Sequence, residues 1–149
     1  MGKGASPRIR VRNLQQVVPV EIGELEKFAK RAVCCCIRIR RKKRTELSGL
    51  GEVFVWLISD RRMSRLHRQF LGQTGPTDVL TFQHGEIFIS VEVAKRQARV
   101  FGNSLMRELK LYIVHGLLHL HRFDDRTQSG ARRMKRMQEK ILSDCRGTL

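Results

Sequence analysis

Between Leu111 and Asp125 the chain reads LYIVHGLLHLHRFDD, which puts His115 and His119 four residues apart inside an apolar run. Such a run is helical in period, and on an α-helix residues four apart sit one above the other on the same face. Two imidazoles placed this way are able to bind one metal ion. The same spacing also occurs in histidine pairs that are only core or surface, so the surrounding residues have to decide.

A hydrolytic metal site uses three protein ligands and keeps one position open for a water, which the ion acidifies to near neutrality. The third ligand has to come from beyond the helix end, where His121, Asp124 and Asp125 are the candidates. On a continuing helix His121 points about 160° away from His119, which makes it the weakest of the three. Asp125 lies ten residues after His115 and is far enough along for the chain to turn back past the helix end. Asp124 serves only if that turn is tighter. A metallopeptidase of this helical type carries a glutamate base directly after the first histidine, and here that residue is Gly116.

Charge points to a different substrate. Lys and Arg number 30 against 14 acidic residues, a net charge of +16 on 149 residues, which favours a polyanionic partner such as RNA or DNA, with an anionic membrane surface as the competitor. The densest run is RIRRKKR, in which Arg38, Arg40, Arg41, Lys42, Lys43 and Arg44 are candidate phosphate contacts. A metal nuclease fits this balance better than a peptidase, since a positive surface gathers the substrate while the ion activates water and stabilises charge on phosphate oxygens. No stretch is long and apolar enough to span a bilayer. Cys34, Cys35 and Cys36 are consecutive and Cys145 stands far away, which is neither a disulfide framework nor a zinc ribbon. Together with an N-terminus lacking a secretory core, this is the pattern of reduced thiols, mostly buried, in a cytoplasmic protein.

The periodicities predict one domain over residues 1–149, with residues 1–8 as a flexible basic tail. An edge-type strand is expected over Ile9–Asn13, a helix over Glu21–Cys36 and a buried central strand over Gly51–Ser59. Asp60–Phe70 reads as a helix capped by Asp60, with Met63, Leu66 and Phe70 on one face. After a Gly-rich loop, Leu71–Pro76, come short strands at Asp78–Phe82 and Glu86–Val91. Helices at Glu92–Phe101, about Leu105–Leu120 (capped by Asn103 or Ser104) and about Ser129–Leu142 complete the order. The expected architecture is α+β, a mixed four-stranded sheet with about five helices. Phe54 and Trp56 are expected in the core, His67 in solvent and His84 in an exposed turn. Thr77 and Asp78 are expected either to line the cleft or to serve the turn after Pro76.

Read together, several blocks resemble the YbeY family of endoribonucleases and ribosomal RNA maturation factors. The family's H-G-x-L-H-L-x-G-Y-D-H stretch appears as HGLLHLHRFDD, His115 to Asp125, and its P-T-D-V-L-S-F block as PTDVLTF, Pro76 to Phe82. GEIFIS, Gly85 to Ser90, matches the next block, and Glu92, Gln97 and Ala98 also fit. The resemblance implies a small sheet with helices around it and a zinc-like ion in a basic cleft. It further implies a single-strand-specific, metal-dependent RNase acting in small-subunit ribosomal RNA processing and ribosome biogenesis. His115 and His119 carry over as ligands, and the third family histidine falls on Asp125. A carboxylate is a competent zinc ligand but makes the site harder and one charge more negative, so Mn2+ or Mg2+ is less disfavoured. Arg122 replaces a family glycine, at a cost of about 1 kcal/mol if the backbone there is left-handed. The family's phosphate-binding arginine aligns with Leu71, which leaves Arg68 or Arg122 as substitutes. The competing expectation is an RNA-binding ribosome assembly factor with a structural metal and little catalysis.

Overall fold

A computed structural model of the chain describes residues 6–71 and 77–146. Ten elements follow one another: β1 (Arg8–Asn13), α1 (Ile22–Ile37), α2 (Glu46–Gly49), β2 (Glu52–Ile58), α3 (Asp60–Leu71), β3 (Val79–Phe82), β4 (Glu86–Ser90), α4 (Val91–Phe101), α5 (Leu105–Leu120) and α6 (Gln128–Asp144). The four strands form one sheet in the order β1-β2-β4-β3. β1, β2 and β4 are parallel and β3 runs antiparallel to β4, so the sheet is mixed and the fold is the expected α+β. Leu71 is the last residue of α3, and the rest of the expected Gly-rich loop lies outside the described residues.

Alternation along the strands decides which face meets the helices. Ile9 and Val11 of β1, Val53, Val55 and Leu57 of β2, and Ile87 and Ile89 of β4 are all buried on one face. They form a single core with Leu25, Phe28, Ala29, Ala32 and Val33 of α1 and Leu109, Ile113, Val114, Leu117 and Leu118 of α5. Spacings of three and four put those α1 side chains on one stripe, while α5 is apolar almost all round and is correspondingly the most enclosed helix. Phe54 and Trp56 were expected in this core and are not there. They occupy the opposite face, half-buried, with their rings stacked at 5.2 Å between centroids, and Phe88 continues the row at 6.5 Å from Trp56. The period of two sends even-numbered residues of β2 to that face, where aromatic cross-strand packing substitutes for a full second helical layer.

Local chemistry explains most of the boundaries. Ser104 accepts from the Arg107 N–H and Thr127 from the Gly130 N–H, capping α5 and α6. Gly102 ends α4 in the left-handed conformation at φ 69°. The helix α3 is capped differently from expectation. Ser59 Oγ accepts from the Arg62 N–H, whereas Asp60 lies inside the first turn and pairs with Arg96 at 2.8 Å. Met63 is buried as expected, but Phe70 is 55% exposed, and His67 is half-buried rather than in solvent. The short α2, held by a reciprocal Thr45–Ser48 capping box, escapes periodicity because four residues make only one turn. Pro7 is buried and Arg8 already pairs with Glu52 in the sheet, so neither belongs to the expected tail, of which residues 1–5 lie outside the described residues.

All four cysteines are free thiols, with Cys36 and Cys145 buried and Cys34 and Cys35 partly so. No helix among the described residues is long and apolar enough to cross a membrane.

Candidate metal centre

The sheet seats α5, and the seat is specific. A Cβ added at Gly116 would lie 2.8 to 3.0 Å from three carbons of Ile87 on β4, so only glycine lets the helix come this close. Gly116 follows His115 directly. The close approach holds His115 and His119 at the C-terminal end of a helix backed by sheet, and it closes sterically the position where a peptidase of this type carries its glutamate.

Beyond Leu120 the chain turns. His121 ends the helix, Arg122 adopts φ 66°, and the backbone folds back through Phe123 to Asp125. The left-handed residue anticipated at Arg122 is therefore present, and it is what aims Asp125 at the histidines. His115, His119 and Asp125 each offer one ligand atom, all within 4.8 Å of one another. The two Nε2 atoms are 3.0 Å apart, and Asp125 carboxylate oxygens lie 3.6 Å from His115 Nε2 and 3.8 Å from His119 Nε2. Bonds of 2.0–2.1 Å in tetrahedral geometry separate zinc ligands by about 3.3 Å, a spacing these distances bracket. The donor set of two imidazoles and one carboxylate suits zinc and tolerates harder divalent ions.

The other two candidates are engaged elsewhere. Asp124 is tied to Arg126, through Oδ2 to Nε at 2.6 Å and Oδ1 to the Arg126 N–H at 2.8 Å. Those hydrogen bonds hold its carboxyl below the ordinary carboxylate range. His121 is buried, with Nε2 donating to the Ile39 carbonyl at 2.7 Å and Nδ1 accepting from the Thr45 hydroxyl at 2.9 Å. Burial lowers its pKa. It ties the basic loop to the end of α5.

Orientation of the candidate ligands also has visible causes. His115 Nδ1 is 2.7 Å from Gln138 Oε1 on α6, an arrangement in which the ring donates from Nδ1 and leaves the Nε2 lone pair facing His119 and Asp125. Gln138 was not anticipated. It lies 23 residues beyond its partner, and nothing local in the sequence marks it. The pKa of His119 is lowered by burial first and by His115 second, against the opposing carboxylates, which favours the neutral imidazole a metal needs.

Around the centre opens a cleft of about 1020 Å3. Arg40, Arg41, Lys42, Lys43, Arg122, Arg126 and Arg133 line it. The cleft thus gathers four of the six basic-run residues. Arg38 instead faces a groove beside Cys35 and Met137, and the Arg44 guanidinium lies near Gly49 of α2. Arg41 stacks 4.0 Å above the Phe123 ring and donates to the Arg122 carbonyl at 2.8 Å, which fixes the loop to the turn carrying Asp125. Arg126 and Arg133 escaped the sequence reading because they are scattered rather than clustered.

A sequence profile described as "Endoribonuclease YbeY" matches residues 10–146. The chain belongs to the YbeY family. It is 38% identical over 116 residues to an endoribonuclease YbeY of Moorella thermoacetica, covering 65% of this chain and 74% of that one. An endoribonuclease YbeY of Bacillus pumilus is 33% identical over 119 residues, covering 66% and 75%. A solution structure of a Thermotoga maritima protein superposes with a TM-score of 0.56 at 27% identity, covering 91% of this chain and 90% of that one.

Against the YbeY pattern the departures separate cleanly. Asp125 stands within ligand distance where the family has histidine. Arg122 lines the cleft and pairs with Glu46 at 3.3 Å, whereas Arg68 sits exposed on α3 and is not among the residues lining it. Of the two arginines considered as substitutes, Arg122 lines the cleft and Arg68 does not. Asp78 serves the turn, accepting from the Val79 N–H at 2.8 Å, and neither it nor Thr77 lines the cleft. His84 is in the exposed turn, as expected, with 66% of its side chain accessible and Nε2 2.6 Å from Glu86.

Proposed function

We propose that this chain is a metal-dependent endoribonuclease that cuts single-stranded RNA, in the maturation of small-subunit ribosomal RNA and in the cytoplasm. The observation that carries the reading is the meeting of one ligand triad, His115, His119 and Asp125, with a cleft lined by seven basic side chains. A divalent ion held by these residues, zinc by preference and Mn2+ or Mg2+ as alternatives, supplies Lewis acidity that brings a water to nucleophilic strength near neutral pH.

The chain's own residues do the rest. Arg40, Lys42 and Lys43 neutralise the phosphates of an approaching strand, in a contact that weakens with salt. Arg122 and Arg126 also line the cleft, where a guanidinium offsets the charge that gathers on phosphoryl oxygens as the bond breaks. Gln138 holds His115 in the ligating tautomer.

The rival, an assembly factor that binds RNA through a structural metal, gains from Asp125 and from Leu71 at the expected arginine. Incubating the purified chain with single-stranded RNA, with and without chelator, separates the two. Cleavage should vanish with chelator and in His115→Ala and Asp125→Ala. Cleavage that survives all three refutes the metal mechanism, and intact RNA with tight, salt-sensitive binding establishes the rival.

A further inference from the structure

The two walls of the metal centre differ in chemistry. On the Phe123 side lies the basic cleft. On the β3 side a separate groove of about 300 Å3 is formed by residues 79–81 and Gln83 against His115 and His119. His119 and Gln83 line both cavities, so they meet beside the triad, with Gln83 at the junction. Among the described residues lining the smaller groove there is no lysine, arginine, aspartate or glutamate. A strand crossing the centre leaves a wall built for phosphates and meets one that has nothing to neutralise them.

What this second wall offers is hydrogen bonding of fixed geometry. β3 is the outer strand of the sheet. The Ser90 N–H donates to the Asp78 carbonyl at 3.0 Å, which sets the phase of the antiparallel pair: Asp78, Leu80 and Phe82 turn their backbone groups to β4. Val79 and Thr81 therefore turn theirs outward, away from β4. The Val79 N–H is taken by Asp78 Oδ1. The Thr81 N–H and C=O remain, an adjacent donor and acceptor, with no backbone partner among the described residues. The Gln83 amide adds a second donor and acceptor at the end of the strand, where its side chain is exposed.

We propose that this groove is a nucleobase site, taking one base of the RNA next to the phosphate held at the metal centre and reading its edge with Thr81 backbone groups and the Gln83 amide; this rests on the nuclease reading above. The volume admits one nucleoside and not a run of them. Base edges present adjacent donors and acceptors of this kind, and single-stranded RNA leaves them unpaired. Continuity with the basic cleft through His119 selects RNA as the occupant. An extended peptide adding to the β3 edge is the alternative chemistry, but four residues of strand offer too short a ladder for strand addition. The cleft then divides its work: the basic wall sets affinity without regard to sequence, and the β3 wall sets which nucleotide flanks the cut.

The test titrates pentanucleotides of A, C and U against the full chain with Zn2+, read by fluorescence anisotropy, and maps cut sites on a mixed-sequence RNA. Affinities should differ about tenfold between the best and the worst base, the discrimination of one good bidentate contact. Gln83→Ala should narrow that spread to about twofold, and so should Thr81→Pro, which removes only an outward N–H at an edge position; circular dichroism checks that the second variant folds. Lys42→Gln with Lys43→Gln should weaken all three alike, and lower the slope of log K against log salt by about 1.4. Equal binding of the three in the unsubstituted chain, or a preference that survives Gln83→Ala and a folded Thr81→Pro, overturns the proposal. Displacement of the RNA by an extended peptide also does so. Base preference without cleavage would refute the nuclease reading and keep the base site, whereas cleavage with no preference would do the reverse.

Discussion

Replacing Gly116 by alanine adds one methyl group at the closest approach of α5 to the sheet. Its Cβ would stand 2.8, 2.9 and 3.0 Å from Cδ1, Cγ2 and Cγ1 of Ile87, which is itself completely buried. Three carbons of one packed side chain leave no rotamer that avoids the contact, so the helix has to lift from β4. Overpacking of this kind costs about 1–3 kcal/mol, and we take the upper half of that range because Ile87 has no free space to move into. Alanine returns about 1 kcal/mol of helix propensity. The net expectation is a loss of about 1–2 kcal/mol, or about 2–6 °C in Tm for a chain of this size. Gly23 in α1 supplies the control, because a Cβ there meets nothing within 4 Å. Gly23→Ala should be neutral or gain up to about 1 kcal/mol from propensity alone. Lifting α5 also displaces His115, the adjacent residue, so Gly116→Ala should weaken Zn2+ binding, and Gly23→Ala should leave it unchanged. Urea unfolding followed by circular dichroism gives the stabilities, and competition with a chromogenic chelator gives the affinities. If Gly116→Ala is as stable as Gly23→Ala and binds Zn2+ as well as the unsubstituted chain, the claim that the sheet sets the position of the ligands fails.

Other expectations follow from the same geometry. Arg122→Gly relieves a left-handed backbone at φ 66° and gives up a half-exposed pair with Glu46. It should stabilise the chain by about 0.5–1 kcal/mol in thermal melts while reducing the salt dependence of RNA binding, and a lower Tm would refute the strain argument. Gln138→Leu should lower Zn2+ affinity by about 10- to 100-fold, and Gln138→Glu should retain it, since only an acceptor at that place holds His115 in its ligating tautomer. An unchanged affinity in the leucine variant would remove Gln138 from the site. His119 and His121 both have pKa values lowered by burial, so the unfolded chain takes up their protons first. In chelator, stability should therefore be fully present above the unfolded value near 6.5 and decline as pH falls through it. Denaturation midpoints at pH 7.5 and 5.5 measure this, and a midpoint that rises on acidification contradicts the assignment.

The histidine-bearing helix was legible because it depends on two periodicities only. Apolar residues at helical spacing define α5, and a four-residue interval puts His115 above His119 whatever surrounds them. The strands and several helix ends were equally local, written in alternation, in Asn103 or Ser104 as a cap and in Gly102 as a stop, whereas the strand order β1-β2-β4-β3 and the Thr127 cap were not read from the sequence. Phe54 and Trp56 mark the limit. Alternation tells which residues share a face of β2 but not which face the helices cover, and that choice is made by α1 and α5 packing on the other side.

The sequence by itself determined the order of every element except α2, the histidine pair and the overall positive charge, since each follows from neighbours along the chain or from a sum over it; a left-handed residue at Arg122 was only a conditional expectation, taken from the family glycine it replaces. The resemblance already favoured Asp125 over Asp124, and the tertiary structure supplied the physical reason, pairing Asp124 with Arg126 and turning Asp125 towards the histidines. It alone brought Gln138 to His115 and Arg133 to the cleft, buried His121 under the basic loop, and divided that loop so that Arg40 to Lys43 face the centre while Arg38 and Arg44 do not. The physical reason is the same in each case. A ligand's partner is set by distance in space, and across 23 or 82 residues of chain that distance is fixed by how helices seat on a sheet, which no local interval records.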